Sequence, residues 1–242
     1  MGDLKVKDKE IVVPGEILAT GMDFLPAGGA FRENESLISS QVGIVTVEGR
    51  LVKVVPLNSV YLPKRGDMVI GKVMDISASC WYIDIGFANE GVLPLRDGSY
   101  EYIPRGADLY HYYNHGDYVV AEILSMNRGK PDLTMKGPGL RKLNGGRIVY
   151  INTAKIPRLI GKQGSMVSMI KQKTDCRIVA GQNGTIWVSG ADPVKEAIAV
   201  EAIKMIEENA HKSGLTDEIQ KFLDSKIDSK IDSKVVKQND IQ

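Results

Sequence analysis

Between Ile11 and Pro63 the chain alternates short apolar runs with turn residues. Val12-Val13 leads into Pro14-Gly15, Pro26-Ala27-Gly28-Gly29 breaks the next stretch, and Val42 to Val47 and Leu51 to Leu57 flank Glu48-Gly49-Arg50. The runs are β-branched, four to seven residues long and bounded by Gly and Pro, which is the pattern of strands. No helix of ordinary length fits, and Glu48-Gly49 reads as a hairpin turn. The pattern predicts a small all-β N-terminal domain over residues 1–65, ending where Pro63-Lys64-Arg65-Gly66-Asp67 interrupts the apolar positions.

Strand-like runs resume at Met68 to Ile76, Trp81 to Ile85, Gly91 to Leu95, Tyr118 to Met126 and Asp132 to Met135. Five short strands in about seventy residues predict a small closed barrel over residues 66–138, the size of the five-stranded OB-fold. Lys136-Gly137-Pro138-Gly139 is the next break. From residue 139 to 213 the period changes. Arg147 to Ile151 reads as a strand, Ala154 to Ile160 and Ser165 to Lys173 as short helices, and Cys176 to Ala180 and Thr185 to Ser189 as a strand pair around Asn183-Gly184. Asp192-Pro193 then opens a helix that runs to about His211, with Val194, Ala197, Ile198, Ile203 and Ile206 facing inward. The predicted order is β-α-α-β-β-α. In the tail, residues 214–242, Asp-Ser-Lys-Ile recurs with period four from Asp224, which stacks like charges along a helix and predicts disorder.

Composition adds little until charge is resolved along the chain. The 242 residues are 43% hydrophobic and 25% charged, net +1, as expected of packed globular domains. No apolar run approaches the ~18 residues of a membrane span, and the polar N-terminus does not resemble a secretory signal. Cys80 and Cys176 lie far apart and read as small apolar residues in strands. The expectation is a soluble, cytoplasmic protein without a disulfide framework, membrane partner, metal or cofactor. Residues 66–140 carry six Lys/Arg against ten Asp/Glu, whereas residues 141–190 carry nine Lys/Arg against Asp175 alone. Such a localised positive field attracts polyanions.

Inside that basic block lies Ile160-Gly161-Lys162-Gln163-Gly164. Its glycines permit a tight turn and let a sugar-phosphate backbone approach. The helix after it aims free N–H groups and a positive dipole end at the same place. Element order and loop together match a KH fold, whose GXXG loop clamps about four nucleotides of single-stranded RNA. Other phosphate-binding glycine motifs are missing. The candidate RNA-binding residues are Lys155, Arg158, Ile160, Gly161, Lys162, Gln163, Gly164 and Lys171 in this module. In the barrel they are Lys72, Tyr82, Arg96, Arg105, Arg128 and Lys130.

Several segments also carry a resemblance. Gly71-Lys72-Val73, Tyr82-Ile83-Asp84-Ile85-Gly86, Glu90-Gly91-Val92-Leu93-Pro94 and Gly116-Asp117-Tyr118-Val119 resemble an S-one-type OB domain. Val13-Pro14-Gly15-Glu16, Gly28-Gly29-Ala30 and Ile38-Ser39-Ser40-Gln41-Val42-Gly43 are similar to the N-terminal domain of exosome cap subunits. Over about residues 10–211 the chain therefore resembles the archaeal exosome RNA-binding subunits. The resemblance implies a non-catalytic protein, three copies of which sit on a hexameric ring of phosphorolytic ribonuclease subunits and direct the 3′ end of RNA into its pore. It also implies that the N-terminal domain docks to the ring. Related barrels place a His where this chain has Pro94 and an aromatic where it has Ser79, so part of the stacking platform is missing. The KH module is then expected to supply most of the affinity.

Five of the nine tyrosines, Tyr100, Tyr102, Tyr110, Tyr112 and Tyr113, cluster between the third and fourth barrel strands. Packing against a neighbour explains them more simply than stacking on bases. His111 and His115 have ligand spacing but no third partner nearby, and no catalytic constellation is legible. Two further readings stay open: a free-standing transcription or translation factor built from the same modules, and a fragment of polynucleotide phosphorylase. In the latter the KH module precedes the barrel, and the phosphorolytic domains would be missing.

Overall fold

The computed structural model describes residues 2–210, 212 and 214–226. It divides into two compact units, residues 1–60 and 61–242.

The first unit is all β. Strands β1 (Asp3–Leu4), β2 (Ile11–Val12), β3 (Ile17–Thr20), β4 (Leu25–Pro26), β5 (Ala30–Glu33), β6 (Ser36–Ser39), β7 (Gly43–Glu48) and β8 (Leu51–Pro56) form two four-stranded sheets, ordered β1-β3-β6-β5 and β2-β7-β8-β4. Val12, Leu18, Leu37, Val45 and Val52 fill its core. Glu48 pairs with Leu51, so the two residues of the hairpin turn are Gly49 and Arg50, one step beyond the predicted pair.

The second unit begins with a closed barrel of β9 (Met68–Ile76), β10 (Cys80–Asp84), β11 (Gly91–Pro94), β12 (Tyr118–Asn127) and β13 (Lys130–Thr134). Its order is β13-β11-β10-β9-β12, and β12 pairs back with β13 to close it. Alternate residues point inward, so Val69, Val73, Trp81, Ile83, Leu93, Val119, Ile123 and Leu133 form the core. Tyr61 joins that core and donates a 2.8 Å hydrogen bond to Asp67, so the barrel's packing starts ahead of Pro63. A short strand β14 (Arg141–Leu143) extends the sheet along β12.

The KH module follows as β15 (Arg147–Tyr150), α1 (Ile156–Ile160), α2 (Ser165–Thr174), β16 (Arg177–Ala180), β17 (Thr185–Ser189) and α3 (Pro193–Glu208). This is the predicted order, and Asp192 caps α3 with Pro193 in its first turn. The sheet order β15-β17-β16 leaves β16 at an edge.

Barrel and KH module are welded together. Asn183, whose Asn-Gly pattern predicts only a hairpin turn, turns its side chain onto the barrel. It accepts from the Ile70 N–H (3.2 Å) and donates to the carbonyls of Ile70 (2.8 Å) and Ile85 (2.9 Å). Those backbone groups lie where β9 has run past the end of β10, and the amide replaces the missing strand. Gln182 adds two bonds to Met68. Ile70, Val120, Leu143 and Trp187 form an apolar cluster beside them.

The expectation of disorder from residue 214 needs correction. Residues 215–226, as far as the described residues go, form a helix α4. Leu215, Ile219 and Leu223 recur every fourth residue and are fully buried in the KH core, which stabilises the docking by ~1.5–3 kcal/mol per side chain. The charges of the repeat pair outward, Asp224 with Lys173 of α2 and Lys226 with Glu201 of α3. Like charges along one helix oppose it only when nothing else neutralises them. The remaining repeats lie outside the described residues.

Candidate nucleic-acid interface

The glycine loop has the geometry its sequence requires. Gly161 has φ +74°, and a Cβ there would meet the Met166 nitrogen and Cβ at 2.9 Å. Gln163 and Gly164 are also left-handed, at φ 51° and 79°. The chain thus turns from α1 into α2 within the four residues 161–164. Gly164 occupies the N-cap of α2, and no side chain among the described residues caps that helix. Lys162 and Gln163 are exposed. The result is an open cradle with a cation on its rim and helix N–H groups at its base, a site for one or two phosphates.

A cleft of about 590 Å³ adjoins the cradle. Ile160, Val167 and Lys171 line it together with Cys176 and with Arg177 to Ala180 of β16, whose outer edge has no neighbouring strand among the described residues. Met68, Pro138, Gly139 and Arg141, from the barrel and the linker, line it too. Apolar walls for base faces, an unpaired strand edge for base edges and Lys171, Arg177 and Arg141 for phosphates suit an extended single strand.

The nine cations of the basic block do not act alike. Lys142 pairs with Asp117, Arg147 with Glu196 and Lys173 with Asp224. Arg158 donates to the Lys212 carbonyl at 2.8 Å, and Lys155 is half-buried in the turn before α1. Lys162, Lys171, Arg177 and Arg141 remain around the cradle and cleft, and Arg141 is held 6.0 Å over the Trp187 ring. Arg141 and Arg177 escaped the candidate set although both stand in the charge block, because nothing local distinguishes a cleft cation from a paired one.

The barrel candidates are dispersed. Lys72 is exposed on β9, in register with Asp84 across the strand pair, so a carboxylate offsets its field. Tyr82 faces outward beside Cys80, whose hydrogen bond pushes the phenol's pKa up. Arg128 and Lys130 stand at the exposed β12–β13 turn. Arg96 and Arg105 share a second cleft, of about 690 Å³, with Lys136, Tyr100 and Tyr102.

The tyrosine cluster divides. Tyr112 and Tyr113 pack edge-on against Trp81, at centroid distances of 6.3 and 5.1 Å, and burial raises the Tyr113 pKa. Tyr100 and Tyr102 are 71% and 86% exposed. Cys176 is buried in the KH core, with its thiol pKa pushed up by that burial, and Cys80 is only half-buried. Among the described residues no group of three His, Cys, Asp or Glu could hold a metal, and His115 Nδ1 instead lies 2.9 Å from the Met74 carbonyl. No helix among them is long and apolar enough to cross a membrane.

Three family models match in chain order: the exosome RNA-binding protein RRP4 N-terminal domain over residues 9–58, the RRP4 S1 domain over residues 60–125 and a KH domain over residues 146–194. The exosome complex component Rrp4 of Methanothermobacter thermautotrophicus is 42% identical over 222 residues, covering 91% of this chain and 70% of that protein. Its counterpart in Thermococcus kodakarensis is 39% identical over 242 residues, covering 98% and 94%. The chain belongs to the Rrp4 family. A crystal structure described as an exosome complex RNA-binding protein is similar to it with a TM-score of 0.65 and 36% identity, over 71% of this chain and 99% of that one. The Rrp4 frame accounts for the succession of β domain, S-one-type barrel and KH module.

Proposed function

We propose that this protein is the non-catalytic RNA-binding component of an archaeal-type exosome. It captures single-stranded RNA on the KH cradle and cleft and directs the 3′ end into a hexameric ring of phosphorolytic ribonuclease subunits. Three copies form the cap on that ring, in the cytoplasm, with no membrane involved. One observation carries the reading: an uncapped helix N-terminus and a left-handed glycine loop open onto a cleft lined by three cations and an edge strand. That arrangement binds a phosphodiester chain, and Cys176, the thiol that also lines the cleft, is buried with its pKa pushed up by that burial, which keeps it protonated and unreactive. The ring is the source of the cutting chemistry.

The N-terminal unit serves as the docking platform. Its sequence through Arg65 carries equal numbers of acidic and basic residues, and it exposes Ile11, Val13, Leu25, Phe31 and Val42, a surface suited to protein rather than phosphate. Two experiments test the proposal. Purified protein incubated with labelled RNA, with and without phosphate, is expected to leave the 3′ end intact; intrinsic shortening sinks the non-catalytic reading. Affinity capture of the full chain from its native host is expected to bring down the ring subunits. A variant lacking residues 2–58 should retain RNA but not the ring, and recovery of the intact chain alone would favour a free-standing factor.

A further inference from the structure

We infer that the C-terminal helix α4 braces the glycine cradle. It holds α1 and α2 at the angle at which the loop between them accepts a phosphodiester chain, and Arg158 and Asp224 are positioning residues rather than RNA contacts. The inference rests on the proposed RNA-capturing role and extends it to a segment that does not line the cleft.

The cradle does not hold its own shape. Gln163 has φ +51°, a left-handed conformation that a non-glycine residue disfavours and keeps only where its surroundings impose it. Helix α1 has five residues and α2 has ten, both too short to be stable alone. The form of the loop is therefore set by whatever fixes the two helices that flank it.

Among the described residues, the side-chain hydrogen bonds and ion pairs that tie α1 and α2 to other elements run to one place, the C-terminal segment. Arg158 of α1 donates to the Lys212 carbonyl at 2.8 Å, and Lys173 of α2 pairs with Asp224 of α4 at 2.5 Å. The segment is itself anchored. Leu215, Ile219 and Leu223 share one fully buried apolar cluster with Leu159 of α1 and Ile170 of α2, and Lys226 pairs with Glu201 of α3 at 3.1 Å. Both arms of the cradle are thus held from one segment, yet no described residue of α4 lines the cleft.

Charge separates bracing from direct contact. Asp217, Glu218 and Asp224 stand against Lys221 and Lys226 in α4, so the helix carries a slight negative charge and does not attract a polyanion. Whatever it adds to RNA affinity comes through the geometry of the cradle.

The test uses the full chain, a fluorescein-labelled oligoadenylate of about five nucleotides read by anisotropy, and amide hydrogen exchange. Asp224→Lys adds positive charge beside α2, which by its field alone would tighten binding. Bracing predicts the opposite, a loss of about threefold to fivefold, in keeping with an exposed ion pair. The swap of Lys173→Asp with Asp224→Lys is expected to recover that loss at the net charge of wild type. Glu218→Gly with Lys221→Gly loosens α4 from its exposed face, leaving net charge and every buried side chain as they are. It should weaken binding about tenfold and speed exchange over residues 158–166, while the sheet of β15, β16 and β17 stays protected. Arg158→Ala should weaken binding in the wild-type chain and add nothing in the loosened one, because both act through the same segment. Asp224→Lys that binds as tightly as wild type, or a swap that recovers nothing, overturns the inference. So does an Arg158→Ala loss that persists in full in the loosened chain, which would make the arginine an RNA contact. Faster exchange across the sheet as well would make α4 part of the fold rather than a brace, and also overturns it. Each of these leaves the proposed function standing, whereas wild type that binds no oligoadenylate sinks both.

Discussion

The barrel and the KH module are built from the same materials, short β-branched strands over an aliphatic core, yet they offer a polyanion different things. The barrel closes, so nearly every strand N–H and C=O is consumed in its ladders. Anything it does to a phosphate must be done by side chains, and its sequence supplies six cations against ten acids. The KH module stays open. It leaves an uncapped helix N-terminus and a sheet edge, so its backbone itself binds, and its cations only reinforce that. Of the KH candidates, residues 160–164 and Lys171 stand at the cradle and cleft while Lys155 and Arg158 are engaged elsewhere in the module, and those of the barrel scatter.

The sharpest way to break that comparison is to put anions on the cradle. Gly161 is the wrong target, because a side chain there collides with Met166 and strains the fold. Lys162→Asp with Gln163→Asp leaves the glycines intact, and both positions are exposed. RNA affinity should fall about hundredfold, with a log–log salt slope shallower by about one, while the melting temperature stays put. Filter binding across a salt series checks both.

Next in size is the weld. Asn183→Ala leaves the Ile70 N–H and two carbonyls buried and unpaired, at a cost of ~2 kcal/mol. Calorimetry should show melting lowered by roughly 4–8 °C for a unit of this size. Unchanged melting would mean that the two modules are held by the apolar cluster alone.

A smaller effect is expected from Tyr82→Ala with Arg105→Ala, a loss of affinity below about tenfold, since one stacking face and one cation are removed. A loss equal to that of the cradle variant would reverse the ranking of the two modules.

The smallest effect concerns Tyr118 of the barrel and Tyr150 of the KH module, whose hydroxyls lie 3.2 Å apart. The bond to Tyr118 pushes the Tyr150 pKa up to about 12. Tyr61, Tyr82 and Tyr113 also titrate late, so the ultraviolet difference between wild type and Tyr118→Phe should show a single phenol leaving that late group and moving towards 10. Because the folded pKa lies above the unfolded one, this contact's contribution to stability is complete below about pH 10 and fades as pH rises towards 12.

Much of this was legible in the chain. The barrel strands and the β-α-α-β-β-α order follow from apolar period and turn residues, and the cradle follows from two glycines flanking a lysine ahead of a helix. The C-terminal helix was equally readable in Leu215, Ile219, Phe222 and Leu223, but the like charges of the neighbouring repeat suggested the opposite. The weld was not readable. Asn183 looks like any turn asparagine until a barrel strand supplies the backbone groups that its amide satisfies.

Local sequence determined what each segment is, because period, capping and glycine conformations act within a few residues. It determined the cradle as well, whose requirements are local. Only the tertiary structure decided which cations pair with acids and which face the clefts, which tyrosines enter the core, and that two modules share one wall. Those outcomes depend on groups far apart in the chain, and no local pattern encodes the distance between them.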